Sequence, residues 1–333
     1  MSSGVLSKSA LRLGGNLSHY PDNQTYLSNE DELQLGEYDL IPLTTESISE
    51  DADYSGAETI NEGYSLATQD KLTTRVSGNM NVWGWYGGLD QLLSASLGEY
   101  NTSELTTGEY EHIYTIDDEL TDRFTLGIDK KTELFVYRGC KVNSLGIDFS
   151  IENGIELQAN VQAFDVTRDS STNTSSDSWD VVSRDKIIEH QGEFYLDGSN
   201  IKVVDFTIDI GNGLDYTTTI QSGEGISEPL RNDMVTVEGE ITFARFEDTG
   251  LFSDFYNGKV SDLKLEFVGP NMGSNDKKFV INIPYAKHKS PRAPVTGESK
   301  IPYSFSFTGL RGTSLSSPVK VTTINEYPYN GGR

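Results

Sequence analysis

Few residues in this chain have the types and spacing that chemistry requires. Four histidines, His19, His112, His190 and His288, are scattered, and none has a second His, Cys or carboxylate at a metal-ligand spacing. They read as surface imidazoles. Adjacent carboxylates occur at Glu30-Asp31-Glu32 and Asp117-Asp118-Glu119; consecutive loop acids are usually solvated, whereas a hydrolytic pair is set by tertiary distance. Cys140 has basic neighbours, Arg138 and Lys141, that would lower a thiol pKa, yet a lone cysteine entering a strand is read as core. No Gly-x-Ser-x-Gly, phosphate loop or dinucleotide fingerprint is present. The expectation is a protein that is not an enzyme, with no catalytic, no cofactor-binding and no metal-binding residues.

Charge narrows the class further. Lys and Arg number 26 against 51 Asp and Glu in 333 residues, a formal charge of −25. Such a field repels phosphates, which excludes a conventional nucleic-acid binder. One cysteine excludes an internal disulfide. The first residues lack a charged segment followed by an apolar run, and no stretch of 18 apolar residues occurs, so neither export nor a membrane span is expected. Asn-x-Ser/Thr triplets at Asn16, Asn23, Asn101 and Asn173 are read as a by-product of composition.

The elements that must position any functional surface are strands. Period-two alternation recurs, as in Phe206, Ile208 and Ile210 against Thr207 and Asp209, and again at Val76–Val82, Phe124–Ile128, Leu145–Ile151, Ile155–Ala163, Val235–Phe243, Leu263–Phe267, Phe279–Ile283, Tyr303–Phe307 and Val319–Val321. Helical spacing is confined to Leu89, Leu92, Leu93 and Leu97, stopped by Gly98, with a weaker counterpart at Leu251–Tyr256. These pieces form a plan written twice. Val76-x-Gly78-x-Met80-x-Val82 and its helix match Val237-x-Gly239-x-Ile241-x-Phe243 and the segment after it. The expected organisation is an N-terminal arm at 1–36, a first β domain at 37–168, a polar linker at 169–178 and a second β domain at 179–333. Acidic stretches at Glu99–Asp122 and Glu46–Asp70 read as solvated loops, ordered only by partner contacts.

Several segments in this order resemble the tail tube (major tail) proteins of long-tailed bacteriophages and related tailed viruses. They are Val76–Val82, Gly88–Gly98, Tyr110-Glu-His112-Ile-Tyr114 leading to Phe124–Ile128, and Tyr137-Arg-Gly139-Cys-Lys-Val142-Asn-Ser-Leu145. Ile283-Pro-Tyr-Ala286 and Pro302–Leu310 resemble the late strands of such proteins, and the likeness runs loosely over residues 37–325. The resemblance implies an all-β fold of two tandem β-sandwich or half-barrel units, each with a short flanking helix. It also implies a structural virion protein that self-assembles into stacked rings, forming the hollow tail tube of a siphovirus-like particle. The genome passes through the lumen without specific binding during ejection. Implied partners are the chain itself, a tape-measure protein, and tail terminator and tail-tip proteins; implied locations are the virion tail and, during assembly, the host cytoplasm. A trimeric pseudo-hexamer is preferred over a hexamer, since two fused units can fill neighbouring ring positions.

Two other classes compete. A two-domain β-sandwich adhesin or carbohydrate-binding virion protein would use Trp83, Trp85 and Tyr86 to stack on sugars; these aromatics read more readily as packing between helix and sandwich. A glycan hydrolase rests on acid content alone.

Overall fold

The computed structural model describes residues 10–14, 39–57, 68–120, 124–129, 134–152, 154–169, 185–216, 229–243, 250–293, 303–312 and 317–327. The first half runs β1 (Ala10–Gly14), β2 (Asp39–Glu46), β3 (Ser49–Ala57), β4 (Thr68–Trp83), α1 (Asp90–Leu97), β5 (Gly98–Thr106), β6 (Glu109–Ile116), β7 (Phe124–Asp129), β8 (Leu134–Ser150), β9 (Gly154–Ala163) and β10 (Asp165–Asp169). The second runs β11 (Gly192–Leu196), β12 (Ser199–Ile201), β13 (Val203–Gly211), β14 (Leu214–Asp215), β15 (Leu230–Arg231), β16 (Thr236–Phe243), α2 (Gly250–Tyr256), β17 (Val260–Asn271), β18 (Asp276–Arg292), β19 (Tyr303–Gly309) and β20 (Lys320–Asn325). The chain is all-β, and every named ladder is antiparallel. Alternation settles the faces as expected: Phe206, Ile208 and Ile210 are buried while Asp209 stands in solvent. Of the expected arm, β1 is described, paired with β2 and β7; most of the expected linker lies outside the described residues.

Two strands of 17 residues organise the sheets. At about 3.3 Å per residue each reaches about 56 Å, enough to run through two layers. The first half of β8 lies between β7 and β10, and its second half between β9 and β13. The first half of β18 lies between β17 and β20, and its second half pairs with β19. One layer therefore has the order β2-β4-β9-β8-β13-β16-β19-β18. Facing it are β1-β7-β8-β10 and β12-β11-β17-β18-β20-β6-β5.

The eight-strand layer repeats a four-strand order, and the registers repeat with it. Leu43 opposes Val82 and Thr45 opposes Asn81, with a bulge at Thr44; Val203 opposes Phe243 and Asp205 opposes Thr242, with a bulge at Val204. A second irregularity recurs where Phe124 and Leu126 oppose Cys140 and Tyr137, and Ser261 and Leu263 oppose Ala286 and Ile283. Gly78 and Gly239 hold equivalent sites for one steric reason. A Cβ on Gly78 would stand 2.5 Å from the Ser47 carbonyl oxygen, and on Gly239 2.2 Å from that of Thr207. The interior is one contiguous apolar cluster with aromatic contacts such as Phe206 on Phe307 and Phe149 on Phe267.

The helices fall where the sequence places them. Leu92, Leu93 and Leu97 of α1 are buried, and Gly98 ends it at φ 97°, its N–H returning to the Ser94 carbonyl. The acidic stretch 99–122, expected as a loop, is instead a hairpin: β5 pairs with β6, and β6 with β20. Along β6, Tyr110, His112, Tyr114 and Ile116 alternate with Glu111, Ile113 and Thr115, and three of these four are buried, so a strand period runs through the acidic stretch. The stretch from Glu46 is likewise β3 paired with the start of β4, with 58–67 outside the described residues. No counterpart of the β5–β6 hairpin separates α2 from β17.

Gly239→Ala should lower stability by about 1–3 kcal/mol, as overpacking against fixed backbone does. Thermal unfolding measures it, and an unchanged melting temperature would contradict the close approach.

Candidate assembly surfaces

Residues that offered chemistry are mostly absorbed by the fold. Cys140 is fully buried and its thiol pKa is pushed up by desolvation, which keeps it protonated. His112 and His288, expected at the surface, are buried because both fall on inward positions of their strands. His112 lies within hydrogen-bond distance of Thr102 Oγ1 at 2.9 Å and Asn325 Oδ1 at 3.3 Å. His288 stacks on Phe305 at 4.5 Å between ring centroids, and its burial lowers the imidazole pKa. His190 is exposed, while His19 and Glu30-Asp31-Glu32 lie outside the described residues. Among the described residues no group of three His, Cys, Asp or Glu is arranged to hold a metal, and no helix is long and apolar enough to cross a membrane.

Asp117 and Asp118 anchor a joint between the halves. Arg231 donates from Nη1 to both carbonyls at 2.7 and 2.8 Å and from Nη2 to Asn212 Oδ1 at 2.9 Å, and Arg311 pairs with the Asp118 carboxylate. Asn212 Nδ2 in turn donates to the carbonyls of Ser96 and Val142. These bonds lock the end of β13 onto α1 and β8. A polar cleft of about 390 Å3 beside them is lined by Glu99, Thr115, Asp117, Asp118, Arg311 and Ser317.

The aromatic cluster is packing, though against the second half rather than the helix alone. Tyr86 is buried against Gly269 and donates to Gln191 Oε1 at 2.9 Å. Lys186 Nζ stands 3.6 Å from the Trp83 ring centre, and Trp85 bridges to Lys186. Tyr86 is fully buried, while Trp83 and Trp85 remain half-buried. Behind it Asp90, buried, accepts from Tyr114 Oη at 2.6 Å and Thr323 Oγ1 at 3.2 Å, tying α1 to β6 and β20.

What remains exposed is one long face and a set of edges. The outer face of the eight-strand layer carries Glu156, Asp148, Asp205, Asp209, Glu238 and Glu240 among Ser, Thr, Asn and Gln, with Lys287 and Lys289 at its β18 end. Glu156 directly opposes Asp148, which burial, then Asp209 and Glu156, hold above the usual carboxylate range. Among the described residues β3, β5, β10 and β12 each have one ladder partner. The outer edge of the layer at 45–51, on β2 and β3, pairs with β4 alone, and the second half of β18 pairs with β19 alone beyond Lys287. Open edges accept further strands. Sequence reasoning missed these edge residues; the signal available was the Gly78 and Gly239 match, extended strand by strand.

The described residues thus form a wide polar sheet whose two outer strands have no further strand partner among them. A family model described as phage tail tube protein matches residues 26–309, most of the chain, and the chain belongs to that family. No curated protein matches it.

Asp148→Asn should raise stability at neutral pH and low salt by about 0.2–1 kcal/mol, the scale of a directly opposed like-charge pair. A carboxylate pKa raised by folding means the folded state binds the extra proton, so stability falls as pH rises through it. The variant's advantage should shrink on acidification and in high salt; denaturant melts across pH and salt test both.

Proposed function

We propose that this chain is the self-assembling subunit of a hollow tail tube through which the viral genome is delivered, with no catalytic role. The observation that carries this reading is the four-strand order written twice in one layer, with no further strand on either outer edge among the described residues. Strand β13 of the second unit already closes on β8 of the first, so the layer is a segment that a further copy can extend. If six such units complete a ring, three chains supply them, and the units correspond to residues 37–168 and 179–333. Rings then stack into a tube around a tape-measure protein, bounded by terminator and tip proteins.

The polar acidic face is assigned to the bore. A wall that passes duplex DNA must avoid cation–phosphate contacts, since each releases counterions and holds the polymer in place. Glu156, Asp209 and Glu240 present the opposite sign, and the face is nearly free of apolar side chains that would need covering.

Electron microscopy of the purified chain should show stacked rings with threefold symmetry. True sixfold symmetry, or residues 200–325 lying outside the wall, would overturn the arrangement, and dispersed glycan-binding monomers would overturn the function. In assembled particles, replacing Glu156, Asp209 and Glu240 by lysine should slow DNA ejection most at low salt. Unchanged ejection at low salt would remove the assignment of the bore.

A further inference from the structure

The internal joint between β8 and β13 serves as a template for a joint between chains. Residues 199–211 and 39–51 are equivalent, aligned by the bulges at Val204 and Thr44 and by the carbonyls of Thr207 and Ser47 against Gly239 and Gly78. On the other side, Val142 opposes Val161 as His288 opposes Phe307, and Gly146 opposes Gln158 as Arg292 opposes Ser304. Within the chain, Asp209 opposes Gly146 and Ile208 opposes Ile147 across the joint. Their equivalents are Ser49 and Ile48 on one side and Arg292 and Ala293 on the other; Ser49 pairs with Ser77 and Arg292 with Ser304, and on the side that corresponds to the joint neither has a strand partner among the described residues. Resting on the tube reading above, we propose that the 45–51 edge receives the 290–293 edge of a second copy, and that Glu46 and Tyr137 are the groups this second copy displaces.

Charge and hydrogen bonding both fit that occupant. Arg292 is exposed and makes no ion pair among the described residues; in the template register it enters opposite Ser49, with Asp51 the next acid along the same face. Ile48 is the edge residue whose backbone points outward, because its neighbour Ser47 already donates to Asn79 on β4. In the single chain that outward position is capped. The Ile48 N–H donates to Glu46 Oε2 at 3.1 Å, and its carbonyl accepts from Tyr137 Oη at 3.2 Å. Burial and the nearby Glu46 raise the Tyr137 pKa to about 12, so the hydroxyl is present to donate. The second unit has no such cap. At the positions equivalent to Glu46 and Tyr137 stand Phe206 and Ile283, neither able to hydrogen-bond, and there the edge is occupied by β8. Capping groups thus occur at the edge that is open in a lone chain. Pro291, which lacks an N–H, removes one bond from the new joint and leaves it weaker than the internal one.

The test uses the full chain. Ser49 and Arg292 would form a non-hydrogen-bonded pair, with Cα atoms about 4.5 Å apart and within disulfide reach. A Ser49→Cys, Arg292→Cys double variant, oxidised after assembly, should give covalent dimers and closed trimers on denaturing gels, and each single variant should not. Tubes visible by microscopy with no crosslink would overturn the joint while leaving the tube reading intact; absence of tubes from the unsubstituted protein would remove both. Tyr137→Phe and Glu46→Ala, checked for native circular dichroism, should shorten the lag before tube formation by about five- to tenfold for each cap removed, the equivalent of one hydrogen bond. An unchanged or longer lag in the conservative Tyr137→Phe variant would overturn the displacement.

Discussion

An open sheet leaves a row of backbone N–H and C=O groups on each outer strand, and their satisfaction governs everything else in this molecule. Between β8 and β13 the chain satisfies one such row from within, along seven opposed residues from Asp205 to Gly211. That joint makes the two halves one layer, and its support is specific: Asn212 holds the end of β13 to α1 and β8, and Arg231 holds the same corner to Asp117 and Asp118. The β5–β6 hairpin does the same for the second layer by adding the first half's strands to β20. Among the described residues the outermost rows have no such internal partner, which is why the proposed assembly follows from backbone chemistry rather than from any side-chain constellation.

Electrostatics acts in the opposite sense. A charge of −25 opposes bringing copies together, and the outer face of the eight-strand layer concentrates part of that charge where Glu156, Asp148 and Asp209 crowd one another. Hydrogen-bonded strand pairing is short-ranged and insensitive to salt, whereas repulsion across a wide face is screened. In the proposed assembly this balance would let a strongly acidic chain associate by its edges while keeping the face itself bare. Lys287, Lys289 and Arg292, gathered at the β18 end, put cations at one of the two open edges and the acids of β3 at the other.

The two glycines show how backbone geometry sets this arrangement. Gly78 and Gly239 each sit under a carbonyl of the preceding strand, Ser47 and Thr207, at distances no Cβ would tolerate. The approach fixes the register on both sides of its strand, and with it the alternation that sends Met80, Val82, Ile241 and Phe243 inward. Repetition of the bulge opposite each glycine-bearing strand then aligns β2 with β13 and β4 with β16 residue by residue.

Much of this was legible in the chain itself. Period-two alternation identified the strands, because a sheet with one wet face imposes it on every strand; Leu89, Leu92, Leu93 and Leu97 identified the helix, and the Gly-centred strand pattern marked Gly78 and Gly239 as matched positions. Other properties were hidden. The hairpin at 98–116 read as a loop because acids masked an apolar alternation whose partner, β20, lies some two hundred residues away. His112 and His288 read as surface residues because nothing local says which face of a strand is inward. Pairing of β8 with β13, and the capping of Ile48 by Glu46 and Tyr137, join segments distant in sequence. Local pattern determines that a segment is a strand and which side chains share a face; only tertiary structure decides which strand lies beside it, since backbone hydrogen bonds are the same for every sequence.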